Sequence, residues 1–179
     1  MTRSLNEIQQ IIPVSPWVAG HMARIPRTGR VLDLACGSGR HTRLLVEGGY
    51  PVLAVDRNAL ALAGLQGLPG VTTAELDLEG DDWPLARQSF AGIVVTNYLW
   101  RPRLADLLAL LAPGGVLIYE TFMLGNADYG KPSNPDFLLR PSELREVAAA
   151  AGLREVAFVA GYTDLPKPAM CQAICAVRD

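Results

Sequence analysis

Short apolar runs rich in β-branched residues alternate along the chain with stretches whose apolar positions recur every three or four residues. Runs of the first kind fall at 31–35, 51–55, 71–76, 92–96, 116–120, 154–160 and 171–177. They are too short for buried helices and are bounded by Gly, Pro or Asn, so each predicts a strand. Between the first two, Thr42, Leu45 and Val46 followed by Gly48-Gly49 predict a helix closed by glycine. Asn58 is suited to cap the next helix, which runs through Leu62 and Leu65 to Gly67. Leu104, Leu107, Leu108 and Leu111 predict a third, stopped by Pro113-Gly114-Gly115, and Ser142 to Ala151 predicts the last. Strands alternating with helices predict an α/β fold: a doubly wound, seven-stranded, mostly parallel sheet with helices on both faces.

Thr121 to Arg140 breaks this rhythm, with Gly125, Gly130, Pro132 and Pro135 but no helical period. A loop of that length in a compact fold is usually functional. It leaves the fifth strand at the carboxyl edge of the sheet, where open α/β sheets bind ligands. Phe122, Asn126, Tyr129 and Asn134 are therefore expected to face a substrate as part of a lid.

The length of 179 residues suits one domain, expected over 1–179, with 1–29 as an N-terminal helical segment or lid and 30–179 as the ligand-binding core. Half of the residues are hydrophobic and 19% are charged, as in a well-buried globular protein. The longest apolar runs are interrupted well before the roughly 20 residues of a membrane span, and Met1 to Gln10 lacks the apolar stretch of a signal peptide. A cytoplasmic protein without membrane attachment is expected. Cys36, Cys171 and Cys175 are accordingly expected as reduced thiols. A net charge of -2 gives nucleic-acid binding no positive support. The spacing Cys171-x-x-x-Cys175 on a strand lacks nearby histidines for zinc, so no metal site is expected.

The informative segment is Val31-Leu32-Asp33-Leu34-Ala35-Cys36-Gly37-Ser38-Gly39-Arg40, a buried strand that stops at a glycine-rich turn and opens a helix. Gly37 and Gly39 let the backbone turn tightly and approach a ligand closely. A dinucleotide fold would place a third small residue at position 42, which is Thr here. Asp33 within the apolar strand would repel a pyrophosphate but suits a cationic amine. Asp56 ends the second strand, 17 residues after Gly39, where a carboxylate accepts ribose hydroxyls. Asp77 and Leu78 follow the third strand and suit an adenine amino group and ring. Thr96 and Asn97 close the fourth strand at the switch point, beside the place for a methionine end. Together these residues point to S-adenosylmethionine, with S-adenosylhomocysteine as product.

Asp33 through Gly39, Asp56, Asp77-Leu78 and Leu111-Ala112-Pro113-Gly114-Gly115 resemble the class I S-adenosylmethionine-dependent methyltransferases. The resemblance covers nearly the whole chain and implies the strand order 3-2-1-4-5-7-6 with the last strand antiparallel. A closer resemblance is to the small tellurite-resistance-like methyltransferases, carried by Gly37-Ser38-Gly39-Arg40-His41, Gly49-Tyr50-Pro51-Val52 and Ala54-Val55-Asp56-Arg57-Asn58-Ala59. It implies that Ala35, Arg40 and Arg57 also border the cofactor. The His-Arg pair that this family carries into its acceptor site is missing after the sixth strand, where Asp164 and Lys167 stand instead.

Methyl transfer from a sulfonium needs no metal, only alignment and the exclusion of water. Tyr98 is a candidate aromatic face for the cationic methyl group. His41, beside the glycine turn, and Glu120, ending the fifth strand, are candidate bases for an acceptor that arrives protonated. The expected acceptor is a small molecule. RNA or protein methylation, a silent S-adenosylmethionine sensor and a nicotinamide oxidoreductase are the competing readings.

Overall fold

The computed structural model describes residues 12–179. The expected N-terminal segment is therefore seen only from Ile12, and its first eleven residues lie outside the described residues.

Seven strands form one sheet in the order β3-β2-β1-β4-β5-β7-β6. They are β1 (Val31–Leu34), β2 (Val52–Asp56), β3 (Val71–Glu75), β4 (Phe90–Thr96), β5 (Leu111–Phe122), β6 (Leu153–Thr163) and β7 (Ala169–Arg178). The pairs β1·β2, β1·β4, β2·β3 and β4·β5 are parallel, and β7 runs antiparallel to β5 and β6. The chain builds outward from β1 to β3 and then returns to β4 on the other side of β1. This reversal opens a crevice at the carboxyl ends of β1 and β4.

Alternation of side chains sorts the sheet into two buried layers. Val31, Val52, Val94, Val116 and Ile118 pack with Val18 of α1 (Pro16–His21) and Leu45 of α2 (Arg40–Glu47). Ala54 on the same face meets Leu62 of α3 (Ala59–Ala63) and the following Leu65. Leu32, Leu53, Ile93, Leu117 and Ile174 face the other way, against α4 (Leu104–Leu108) and α5 (Glu143–Ala150). The carboxyl ends of the α1 face are polar: the buried Asp33 and the half-buried Thr96 and Glu120 continue its inward series beyond the apolar positions.

Several boundaries differ from the sequence expectation. The third predicted helix ends at Leu108 rather than Leu111, because Leu111 pairs with Phe90 and opens β5 early, ahead of an irregular stretch. The last two strands extend to Thr163 and back from Ala169, so that the β6–β7 hairpin projects past the sheet edge. Thr121 and Phe122 remain in β5, paired with Gln172 and Cys171.

Candidate functional site

The turn after β1 is held in an uncommon backbone conformation. Ala35, Gly37 and Gly39 have φ values of 52°, 56° and 80°, in the left-handed region that costs an L side chain roughly 1–2 kcal/mol. The two glycines serve different ends. A Cβ on Gly37 would meet nothing within 4 Å, so its backbone faces open space, whereas a Cβ on Gly39 would stand 2.4 Å from the Leu65 side chain. Close helix packing, rather than ligand approach, therefore requires glycine at 39.

Asp56 secures the same turn from β2. Its Oδ2 accepts from the Gly37 N–H at 2.8 Å and its Oδ1 from the Asn58 N–H at 2.9 Å. Beside it lies a cavity of about 180 Å³ whose walls include Ala35, Asp56, Arg57, Asp77, Leu78 and Tyr98. Asp77 is exposed and fixed by the Glu79 N–H, Leu78 is buried, and Arg57 faces solvent 3.9 Å from Glu79. The buried Tyr98 hydroxyl meets no partner at normal hydrogen-bonding distance among the described residues. Burial and the Glu79 carboxylate push its pKa up. The sequence reading set Tyr98 against a methyl group; the structure sets it in this cavity with Asp77 and Leu78. Asn97, between β4 and Tyr98, takes a left-handed conformation with φ 56°.

The carboxyl ends of β1, β4 and β5 carry a buried polar cluster. Asp33 is 1% exposed and accepts from the Thr42 hydroxyl at 2.6 Å. Burial pushes its carboxyl up to about 6, with the Thr42 hydrogen bonds and Arg40 opposing. His41 accepts at Nε2 from the Ser15 N–H, 2.9 Å away, so its proton sits on Nδ1, which donates to the Thr96 hydroxyl at 3.3 Å. Burial, then Arg40, lowers its pKa to about 4. The imidazole expected as a free base thus has its only lone pair occupied; it fastens the N-terminal segment to the sheet.

Three hydrogen bonds hold the start of that segment, before α1. Arg40 donates to the Pro13 carbonyl at 2.7 Å, the Ser15 N–H donates to His41, and the Ser15 hydroxyl donates to Glu120 Oε2. Ser15 also caps α1 by accepting from the Trp17 and Val18 N–H groups. The Ser-Pro pair is a legible helix start, but nothing local in the sequence ties it to His41 and Glu120.

Beyond Glu120 opens a second cavity of about 260 Å³, walled by Pro16 and Trp17 of α1, Tyr162 and Asp164 of the hairpin, and Cys171 of β7. Most side chains expected of the 121–140 lid are occupied elsewhere. Phe122 packs in a small core with Leu138 and Ala169. Asn126 is 1% exposed, donates to the Pro132 carbonyl and accepts from the Met170 N–H. Asn134 caps a single turn. Tyr129 alone reaches toward the cavity, its ring 5.2 Å from that of Tyr162. The projecting hairpin, invisible as such in the sequence, supplies the wall that the loop was expected to provide. A larger cavity of about 560 Å³ lies between α4 and α5 and touches none of these groups.

Among the described residues no cluster of His, Cys, Asp or Glu is suited to a metal ion, and no helix is long and apolar enough to cross a membrane.

Fold, switch-point crevice and glycine turn define an α/β protein of the nucleoside-binding type, and comparison with known proteins narrows the class. Residues 31–115 match the methyltransferase domain family. A trans-aconitate 2-methyltransferase from Azoarcus sp. is 35% identical over 163 residues, covering 82% of this chain and 60% of the relative. The tRNA U34 carboxymethyltransferase of Methylococcus capsulatus is 28% identical over 149 residues, covering 73% and 46%. Among solved structures, TehB from Haemophilus influenzae superposes with a TM-score of 0.74 at 21% identity, over 90% of this chain and 61% of that one. Residues 31–115 thus carry a methyltransferase domain, and over most of its length the chain is similar to S-adenosylmethionine-dependent methyltransferases. It spans about half to three-fifths of the length of these two curated relatives.

Proposed function

We propose that the protein transfers a methyl group from S-adenosylmethionine to a small acceptor bound beyond Glu120. The observation that carries this reading is Gly37: an αL position with open space where a Cβ would stand, between the Asp56 carboxylate and the switch-point crevice. The neighbouring groups fit the cofactor. Asp56 keeps lone pairs free for ribose hydroxyls, Asp77 accepts from the adenine amino group, and Leu78 and Tyr98 flank the ring. Ala35, Arg57 and Arg40 border the same path. Asp33, with the backbone of Thr96 and Asn97, lies where a cationic amine is held. A pyrophosphate fits this turn poorly, since Thr42 fills the helix start and Asp33 lies beneath it.

When bound, S-adenosylmethionine supplies an electrophilic methyl group on a sulfonium. The protein's contribution is to exclude water and to aim the acceptor. The Ser15 latch covers the crevice, and Glu120 presents a carboxylate to the second cavity. At about 260 Å³ that cavity falls just below the roughly 300–1,000 Å³ usual for ligand sites, and this favours a small acceptor. Acceptors differ among the relatives, trans-aconitate in one and tRNA in another, so kinship leaves this choice to the cavity.

Titration calorimetry with S-adenosylhomocysteine and with NAD tests the reading. Binding of the first and none of the second is expected; NAD binding without S-adenosylhomocysteine binding overturns it.

A further inference from the structure

We propose that the acceptor cavity takes a cationic or neutral amine with an apolar body, held through an N–H group at Glu120, and that the amine nitrogen receives the methyl group. This rests on the methyltransferase reading above and names its substrate class.

The first support is the charge of the walls. Among the described residues the ionisable side chains that line the cavity are the carboxylates Glu120 and Asp164, the phenol of Tyr162 and the thiol of Cys171, with no Lys, Arg or His. Burial pushes the Cys171 thiol up to about 12, so it stays neutral. Lys167 is turned aside over the ring of Phe122, 5.7 Å from its centre. An anionic substrate would enter between two carboxylates with no counter-charge, an arrangement that costs free energy in a site of low dielectric.

Glu120 itself is the second support. Its Oε2 accepts from the Ser15 hydroxyl, while its Oε1 has no hydrogen-bond partner among the described residues. Among the described residues no basic nitrogen comes within ion-pair distance; Arg40, whose charge acts on Glu120 from farther away, donates to the Pro13 carbonyl. Burial raises the pKa of this carboxyl. A partly buried carboxylate with an open oxygen and no ion-pair partner gains from an N–H donor placed at that oxygen. The rest of the wall suits an apolar body: Trp17 and Tyr162 offer aromatic faces, which also attract a cation.

The step balances. An amine that arrives as its cation first gives one N–H proton through Glu120 Oε1 to solvent. The lone pair of the neutral amine then forms the new C–N bond to the methyl carbon as the C–S bond breaks, and the C–S electron pair stays on sulfur to leave S-adenosylhomocysteine. An N–H proton of the resulting ammonium passes to Glu120 Oε1 and then to solvent.

Two isosteric probes of opposite charge, 2-phenylethylamine and 3-phenylpropionate, test the assignment by calorimetry on the protein saturated with S-adenosylhomocysteine. The amine is expected to bind at least tenfold more tightly, and Glu120→Gln to shrink that ratio to within threefold while S-adenosylhomocysteine affinity holds. Equal affinity, the reverse order, no detectable binding of either probe, or an unchanged ratio in Glu120→Gln overturns the amine assignment. Failure of S-adenosylhomocysteine to bind is a separate result and strikes the methyltransferase reading instead.

Discussion

The backbone N–H of Ser15 points at Nε2 of His41 across 2.9 Å, and this contact joins residues 26 positions apart in the chain. It makes a helix-start histidine into the anchor of a strap over the cofactor crevice. Removing the acceptor leaves a buried N–H without a partner, which costs about 1–3 kcal/mol. His41→Leu is expected to lose that amount at pH 7.5 in urea unfolding. The pH dependence carries a second signature. The folded pKa of about 4 lies below the ordinary 6.5, so the unfolded chain binds the proton more readily. Stability from this group is present above pH 6.5 and is lost as pH falls toward 4, by about 3 kcal/mol in all. The variant should lack that decline; an identical decline in both proteins would remove His41 as its source.

Asp33 works in the opposite sense. Its folded pKa of about 6 lies above the ordinary 3.8, so its contribution is fully present below pH 3.8 and is lost as pH rises through 6. Replacing it by Asn keeps an acceptor for the Thr42 hydroxyl and removes the titration. The stability of the unaltered protein minus that of Asp33→Asn should rise by about 2–3 kcal/mol as pH falls from 6.5 to 4. A flat difference would mean that Asp33 titrates normally and is hydrated in the native state.

These two groups mark where sequence reasoning succeeds and where it stops. Val31 to Leu34, Val52 to Val55 and Val94 to Val95 announce buried parallel strands because both of their faces are apolar. Asp56 stands out because its carboxylate ends such a strand, and Asp77 because it comes two residues after the half-buried β3. Helix ends were harder: Leu110 and Leu111 continue the helical period of α4, yet pairing of Leu111 with Phe90 outweighs it. What a side chain meets across the fold left no local trace. The Ser15 latch, the contact of Gly39 with Leu65 and the turning of Tyr98 toward Asp77 all depend on tertiary placement.

The two glycines of the turn give a prediction that separates ligand approach from packing. Gly39→Ala drives a methyl group into Leu65 and should cost about 2–5 kcal/mol, the overpacking penalty of roughly 1–3 with backbone strain of roughly 1–2 added. Gly37→Ala should cost only the αL strain of about 1–2 kcal/mol, yet weaken S-adenosylhomocysteine at least tenfold because its methyl group stands where the ligand lies. Thermal unfolding and calorimetry on both variants check the pair. Unimpaired binding by folded Gly37→Ala would take the open space at position 37 out of the cofactor site.

Asp56 carries the sharpest test of the nucleoside assignment, because its carboxylate already has structural duties. Oδ2 and Oδ1 accept from the Gly37 and Asn58 N–H groups, so any substitution disturbs the turn as well as a ligand. Loss of charge-assisted hydrogen bonds to a ribose is worth about 1.5–3 kcal/mol, and Asp56→Ala should weaken S-adenosylhomocysteine roughly 10- to 150-fold. A slackened turn could weaken it too. The 2′-deoxy analogue of S-adenosylhomocysteine separates the two causes, since it lacks a hydroxyl that the carboxylate would hold. In the unaltered protein it should bind at least tenfold more weakly than the parent, and in Asp56→Ala the two ligands should bind within threefold of each other. If both ligands instead lose the same factor on substitution, Asp56 acts through the Gly37 turn alone and the ribose contact belongs to another residue.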